Sequence, residues 1–230
     1  MSIIVMKFGG TSVADIDCIK NVANKVAAQY KKNKKIVVVV SAMSGTTNNL
    51  IDLTKQVSKD RNLQEYDVVV SSGEQVTAGL LSMALNSKEI PSRSFMGWQI
   101  PVFTDNTFSK ANITEIRKDV LMQALNRNEI AVIPGFQGVT DENQITTLGR
   151  GGSDTSAVAI ASALNAKRCD IYTDVDGIYT ADPRMVPKAK KLDKISYEEM
   201  LEMASQGAKV LQTRSVALAM KYKLKIKVLS

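Results

Sequence analysis

Residues 3–12 read Ile3-Ile4-Val5-Met6-Lys7-Phe8-Gly9-Gly10-Thr11-Ser12. A short apolar run closed by two glycines is the pattern of a strand buried on both faces. Immediately downstream, Ile16, Ile19, Val22, Ala23, Val26, Ala27 and Tyr30 recur at helical spacing, and the basic tract Lys31 to Lys35 closes that segment where a helix C-terminus favours cations. Ile36 to Val40 is a second buried strand. Strand, helix, strand is the opening of an α/β domain, and the rest of the chain continues the alternation. Helices are predicted around Leu50, Leu53 and Val57, over Glu74 to Leu85, over Ile116 to Leu125, over Ser153 to Leu164, over Tyr197 to Ala204 and over Ser215 to Tyr222. Strands are predicted over Ile130 to Ile133, Asp170 to Thr173 and Leu224 to Leu229. The expected fold is one α/β domain with a mainly parallel sheet covered on both faces. Such sheets bind ligands beyond the carboxyl ends of their strands, so chemistry is sought there.

Composition narrows the function. The 230 residues are 44% hydrophobic and 23% charged, ordinary values for a globular chain large enough to bury a core. No run approaches the ~18 apolar residues of a membrane span, and Met1 to Phe8 has no charged leader, so neither a membrane protein nor a secretory signal is expected. There is no histidine, which excludes an imidazole base or ligand. The two cysteines, Cys18 and Cys169, form no CxxC pattern, so a cysteine-rich zinc site is excluded and a reducing, cytoplasmic setting is expected. The net charge of +7 is concentrated: residues 209–230 carry six bases and no acid, whereas residues 1–208 carry 24 bases against 23 acids. Lys221, Lys223, Lys225 and Lys227 alternate with apolar residues, the period of a strand with one basic face, read chiefly as a solvated or edge-protecting face. Nucleic acid is therefore not an expected partner.

Four segments near strand ends carry candidate chemistry. Lys7 with Gly9 and Gly10 sets a cation beside open backbone N–H groups, although a glycine pair is also an ordinary tight turn. Residues 41–48, Ser-Ala-Met-Ser-Gly-Thr-Thr-Asn, offer hydroxyl donors to an anion, or simply a helix N-cap. Gly149-Arg150-Gly151-Gly152-Ser153-Asp154 places a guanidinium and bare backbone at a helix N-terminus, an anion site by geometry and dipole, unless Ser153 or Asp154 only caps the helix. Thr173-Asp174-Val175-Asp176-Gly177-Ile178-Tyr179, followed by Asp182-Pro183-Arg184, reads as a turn or as a nucleotide site with its metal.

Taken together, KFGGTSV at 7–13, SSGE at 71–74, LGRGGSDTSA at 148–157, YTDVDGIYTADPR at 172–184 and GAKVLQTRS at 207–215 resemble the amino-acid kinase family, and within it the aspartate kinase branch. The resemblance covers essentially the whole chain, in order. It implies a three-layer αβα sandwich with a mostly parallel central sheet, the carbamate-kinase-like fold. It implies that residues 1–230 form the catalytic domain, with no regulatory ACT domain in this chain. The activity implied is ATP- and Mg²⁺-dependent phosphorylation of the β-carboxylate of L-aspartate, by a homodimer. On this resemblance Lys7, Gly9 and Gly10 hold the transferring phosphoryl group, and Asp154 orients Lys7. Ser41, Thr47, Glu74, Arg150, Gly151, Gly152 and Ser153 form the aspartate side, with Glu74 facing the substrate ammonium. Thr173, Asp174, Tyr179, Arg184, Lys209 and Val210 form the ATP side, and no residue is assigned as a metal ligand. Family members often carry His-Pro where this chain has Gln212-Thr213. The chemistry suits a chain without histidine, because a carboxylate nucleophile is already ionised at neutral pH. Acetylglutamate and uridylate kinases of the same fold, and a binding module without catalysis, are the competing readings; Glu74 argues against an N-acylated substrate.

Overall fold

The computed structural model describes residues 2–32, 35–60, 62–183, 185–208 and 210–230. The first half runs β1 (Ile4–Phe8), α1 (Ile16–Lys32), β2 (Ile36–Val40), α2 (Thr46–Val57), α3 (Leu63–Asn86), β3 (Ser92–Ser94), β4 (Val102–Thr104), β5 (Ile113–Ile116) and α4 (Asp119–Asn126). The second half runs β6 (Ile130–Pro134), β7 (Gln137–Val139), β8 (Ile145–Thr147), α5 (Gly152–Ala163), β9 (Arg168–Tyr172), β10 (Ile178–Tyr179), β11 (Lys191–Leu192), α6 (Tyr197–Ser205), α7 (Thr213–Lys221) and β12 (Ile226–Leu229).

Six strands form the central sheet in the order β12-β9-β1-β2-β6-β3, with every pairing parallel. Alternation along the strands divides the interior in two. Ile4, Met6, Phe8, Val38 and Val40 meet Val22, Val26, Leu81 and Leu85 of α1 and α3 on one side. Val5, Val37, Val39, Ile133 and Ile171 meet Leu121, Val158, Ile160 and Val216 of α4, α5 and α7 on the other. This is the expected three-layer αβα sandwich, and it explains why the central strands read as unbroken apolar runs: both of their faces are dry.

The register aligns the carboxyl ends. Phe8 is level with Val40 and Tyr172, and Val40 with Pro134. Backbone bonds carry the alignment past the last residues, from Ser41 N to Phe8 O, Gly9 N to Tyr172 O and Gly135 N to Val40 O. The loops after β1, β2, β6 and β9 therefore emerge together along one edge.

Several expectations change. A second, four-stranded sheet, ordered β5-β4-β7-β8 with mixed directions, was not foreseen, and Ile116 belongs to its strand β5 rather than to the helix that follows. Helix α3 begins at Leu63, eleven residues before the predicted start at Glu74, so the Ser71–Glu74 motif lies inside a helix. The basic alternation is cut short: Lys221 ends α7, Lys223 turns through φ 51°, and only Ile226–Leu229 form the strand. That strand is an edge of the central sheet, and Lys225 and Lys227 are exposed along it, so edge protection stands as the reading. Among the described residues one helix, α3, has the length and hydropathy to cross a membrane; half of its apolar window is buried here, and it carries Asp67 and Glu74.

Phe8 is fully buried and stacks on Tyr172 with ring centroids 4.5 Å apart. Phe8→Ala is expected to cost about 3–5 kcal/mol, as for other large-to-small core truncations. Urea denaturation measures it, and a loss below about 1 kcal/mol would contradict this packing.

Candidate active site

Lys7 is the penultimate residue of β1. The two-residue period of the strand turns it to the same face as Val5, the face covered by α5. The first turn of α5 brings Asp154 to it, with Lys7 Nζ 2.6 Å from Asp154 Oδ1. The approach is an ion contact rather than an aligned hydrogen bond. Both side chains are about nine-tenths buried, so each charge needs the other.

Glu74 reaches the same place from the opposite layer. It is 5% exposed, and Ser153 Oγ donates to its Oε1 at 2.8 Å, while Oε2 has no hydrogen-bond partner. Burial drives its pKa up from 4.5 to about 8, against the Ser153 hydrogen bond and the nearby charge of Lys7, which pull it down. Gly135, just beyond β6, lets the two layers meet: a Cβ there would lie 2.8 Å from Ser153 Cα and 3.1 Å from Glu74 Oε2.

Neither helix N-terminus at the site is closed by a side chain. Gly45 and Gly151 are the N-caps of α2 and α5, both left-handed, with φ of 78° and 71°, and neither helix shows a side-chain cap hydrogen bond. The reading of Ser153 or Asp154, and of the 41–48 loop, as mere caps therefore falls. Asp154 pairs with Lys7 and Ser153 with Glu74.

These groups line one cavity of about 540 Å³. The structure brings Lys7, Gly9, Gly10, Ser41, Thr47, Glu74, Arg150, Gly151, Gly152, Ser153, Asp154, Thr173, Asp174 and Val210 together around it. Tyr179 is not in the wall; its hydroxyl donates to Asp176 Oδ1 at 2.7 Å on the small β10–β11 hairpin. Arg184 and Lys209 lie outside the described residues. Sequence reasoning missed Phe136, which lines the cavity directly after β6. The rule of looking beyond each strand end, applied to the Pro134-Gly135-Phe136 segment, would have found it. Among the described residues no group of three metal-ligating side chains occurs; besides Glu74, the carboxylates in the wall are Asp154 and Asp174.

Glu74 links pH to stability. Its carboxyl holds its proton to about pH 8 in the folded, ligand-free chain, but only to its ordinary 4.5 when unfolded. Between those values the folded state binds more protons, so its stability falls as pH rises through the window. Glu74→Gln has no proton to lose. The Tm of the parent chain relative to the variant is expected to fall between pH 5 and pH 8.5, read by thermal melts across that range. Parallel pH curves for the two proteins would contradict the shift.

The chain matches the model of the amino acid kinase family over residues 2–230. It is 54% identical over 233 residues to an aspartokinase of Rickettsia felis, covering all of this chain and 58% of that one. The chain thus spans somewhat over half the length of this curated relative. Among solved structures, aspartate kinase from Synechocystis superposes with a TM-score of 0.87 at 44% identity, covering 100% of this chain and 38% of that one. E. coli aspartokinase III in complex with aspartate and ADP gives 0.89 at 30% identity, covering 99% and 62%. With the fold, the aligned strand ends and the match over nearly its whole length in agreement, the chain belongs to the amino acid kinase family.

Proposed function

We propose that this chain transfers the γ-phosphoryl group of ATP to the β-carboxylate of L-aspartate, giving 4-phospho-L-aspartate and ADP, the first step toward lysine, threonine and methionine. The observation that carries this reading is the pairing, in one cavity, of two unlike buried groups: a cation, Lys7, and a carboxyl, Glu74, with an unpartnered oxygen. The first suits a phosphoryl group and the second an ammonium. The aspartate and ADP held by E. coli aspartokinase III support the same pair of ligands here.

The reaction needs positioning and positive charge more than acid–base chemistry. A β-carboxylate oxygen attacks the γ-phosphorus, a P–O bond forms, and the bond to the β,γ-bridging oxygen breaks, leaving its electron pair on ADP. No proton has to be removed from the nucleophile. Lys7, held by Asp154, faces the charge spread over the phosphoryl oxygens, and the backbone at Gly9 and Gly10 lies beside it. Arg150 takes the α-carboxylate as a bidentate fork. Glu74 gives up its proton to solvent water on meeting the substrate ammonium, whose charge lowers the cost of ionising it. Thr173, Asp174 and Val210 form the nucleotide side, with Arg184 and Lys209 assigned there by resemblance. Mg²⁺ would come with ATP, bound by phosphate oxygens, water and one or two carboxylates such as Asp174, and would neutralise phosphate charge; a wall without an all-protein cage of ligands fits such an ion. The test is ATP-dependent formation of a hydroxamate from L-aspartate in the presence of hydroxylamine. A folded, ATP-binding protein that forms none would support a binding module instead.

Lys7→Ala is expected to lower kcat by roughly 10²–10³-fold, the range for one preorganised electrostatic group. It is also expected to lower stability, because Asp154 is left buried without its cation, so turnover is compared at a temperature where circular dichroism shows the variant folded. Near-normal turnover would remove Lys7 from the reaction.

We also propose, as the working setting, a cytoplasmic homodimer paired through α3. Glu65, Val68, Ser72, Val76, Gly79, Met83 and Asn86 repeat every three or four residues, the spacing of one helix face, along its outer side. Between Glu65 and Lys88 the helix carries no charge except the buried Asp67 and Glu74, yet Val76 is 57% and Met83 69% exposed. On α2, packed beside it, Leu53 and Val57 are exposed as well. These apolar side chains and Val68 expose on the order of 500 Å² per chain, and two copies reach the ~1,000 Å² of a specific interface. A Cβ at Gly79 would meet nothing within 4 Å in this chain, so a glycine costing about 1 kcal/mol against alanine has no intrachain reason. Gly79→Ala is expected to shift sedimentation toward the monomer without lowering monomer stability. An unchanged sedimentation profile would rule this face out.

A further inference from the structure

The loop that carries Arg150 and Ser153 is held from behind by two charged side chains that lie outside the cavity wall. Asp67, fully buried on α3, accepts from Thr147 N at 2.8 Å, from Thr147 Oγ1 at 2.6 Å and from Ser109 N at 2.8 Å. Arg214, in the first turn of α7, donates through Nη1 to Leu148 O at 2.6 Å and through Nη2 to Ala111 O at 3.1 Å. Two further backbone bonds complete the set: Ala111 N donates to Thr147 O, and Leu148 N to Phe136 O. All four backbone polar groups of Thr147 and Leu148, the two residues before Gly149, are therefore pinned.

Neither charge is explained by its own helix. A cation in a first turn opposes the helix dipole, so Arg214 works against α7 electrostatically. A carboxylate buried with no cation among its contacts costs desolvation that α3 alone does not require. Both are accounted for by the loop they hold. Beyond the pinned residues the chain turns through two left-handed glycines, Gly149 and Gly151, at φ 72° and 71°. A Cβ at Gly149 would lie 3.1 Å from Ser109 O, and one at Gly151 would run into the Gln212 side chain. The loop thus rests on the 109–112 segment on one side and on Gln212 on the other. Arg214 follows Gln212 by two residues and Val210, in the cavity wall, by four. One short stretch, 210–214, touches the nucleotide side of the cavity and the base of the substrate loop together.

We infer that Asp67 and Arg214 are positioning residues, an anionic and a cationic clamp that set the Leu148–Gly152 backbone so that Arg150 and Ser153 meet the amino-acid substrate. The inference rests on the aspartate side proposed above, and its test separates the two. Arg214→Met keeps the aliphatic stem and removes every donor; Arg214→Lys keeps one donor group; Asp67→Asn turns an N–H toward backbone donors. In the whole protein, hydrogen–deuterium exchange without any substrate is expected to rise over residues 147–152 in Arg214→Met and Asp67→Asn, while the central strands keep their protection. In turnover, the KM for L-aspartate is expected to rise roughly 10-fold or more in both, with the KM for ATP within about two-fold of the parent value, and Arg214→Lys is expected to recover part of the loss. If exchange over 147–152 is unchanged in Arg214→Met, the clamp does not hold the loop and the inference fails. If exchange rises but the two KM values move together, the residues are structural only, and the inference fails as well. If the parent chain does not phosphorylate aspartate, the function proposed above fails, and the exchange result still decides whether the clamp holds the loop.

Discussion

The contact on which this architecture turns is the ion pair between Lys7 and Asp154. A lysine at the end of a strand buried on both faces is an expense, because the ammonium leaves water with few neighbours able to solvate it. The expense is offset by one carboxylate, delivered on the first turn of α5, 2.6 Å away. The pair fixes where α5 sits against β1, and with it where Gly151, Gly152 and Ser153 lie, since they precede Asp154 without a break. It also leaves the far side of the ammonium facing the cavity. A buried ion pair adds little net stability compared with apolar packing. The phosphoryl group proposed for the cavity would give this pair a reason to sit at the carboxyl edge of the sheet.

Glu74 completes that electrostatic logic from the other layer. Burial holds the proton on this second carboxyl to about pH 8, because the Ser153 hydrogen bond and the charge of Lys7, itself paired with Asp154, offset the lost hydration only in part. Such a group is poised to exchange a proton for a charged ligand: an ammonium entering beside it replaces the proton and restores the balance. A fully solvated glutamate would offer the same charge with far less discrimination, because water would compete for it.

The legible part of the fold was the part with two dry faces. Ile4–Phe8, Ile36–Val40 and Ile130–Pro134 are continuous apolar strings because helices cover both sides, and their ends were legible to within a residue, whereas their order in the sheet was not. The second sheet was invisible for the opposite reason. Its strands are three or four residues long, and Ser92–Ser94 at the edge of the central sheet is no better marked; such segments are too short for a period to show. The cavity wall was legible where glycines and charges cluster after strands, as at Lys7–Gly10 and Gly149–Asp154. Glu74 was reached only through the family resemblance, since a carboxylate in mid-helix looks like any solvated one until burial is known. Asp67 had no signal and Arg214 only its place in the 207–215 motif, because their main partners are backbone atoms far away in sequence, and backbone atoms leave no mark on residue identity.

The placement of the site follows from a geometric constraint. Helices packed on opposite faces of a sheet are separated by the sheet itself and cannot touch through it. They can meet only beyond its edge, where α3 and α5 overshoot the strands. Gly135 marks that point: the chain leaves β6 there with no side chain, and Ser153 of α5 reaches across to Glu74 of α3 through the space a Cβ would fill. The same edge is where the strand order reverses, β1 having β2 on one side and β9 on the other, so the loops after β1 and β9 part and open a crevice. A ligand in that crevice contacts both helical layers at once. The αβα sandwich thereby brings groups from separate layers to one cavity, while the sheet between them keeps each layer's core dry.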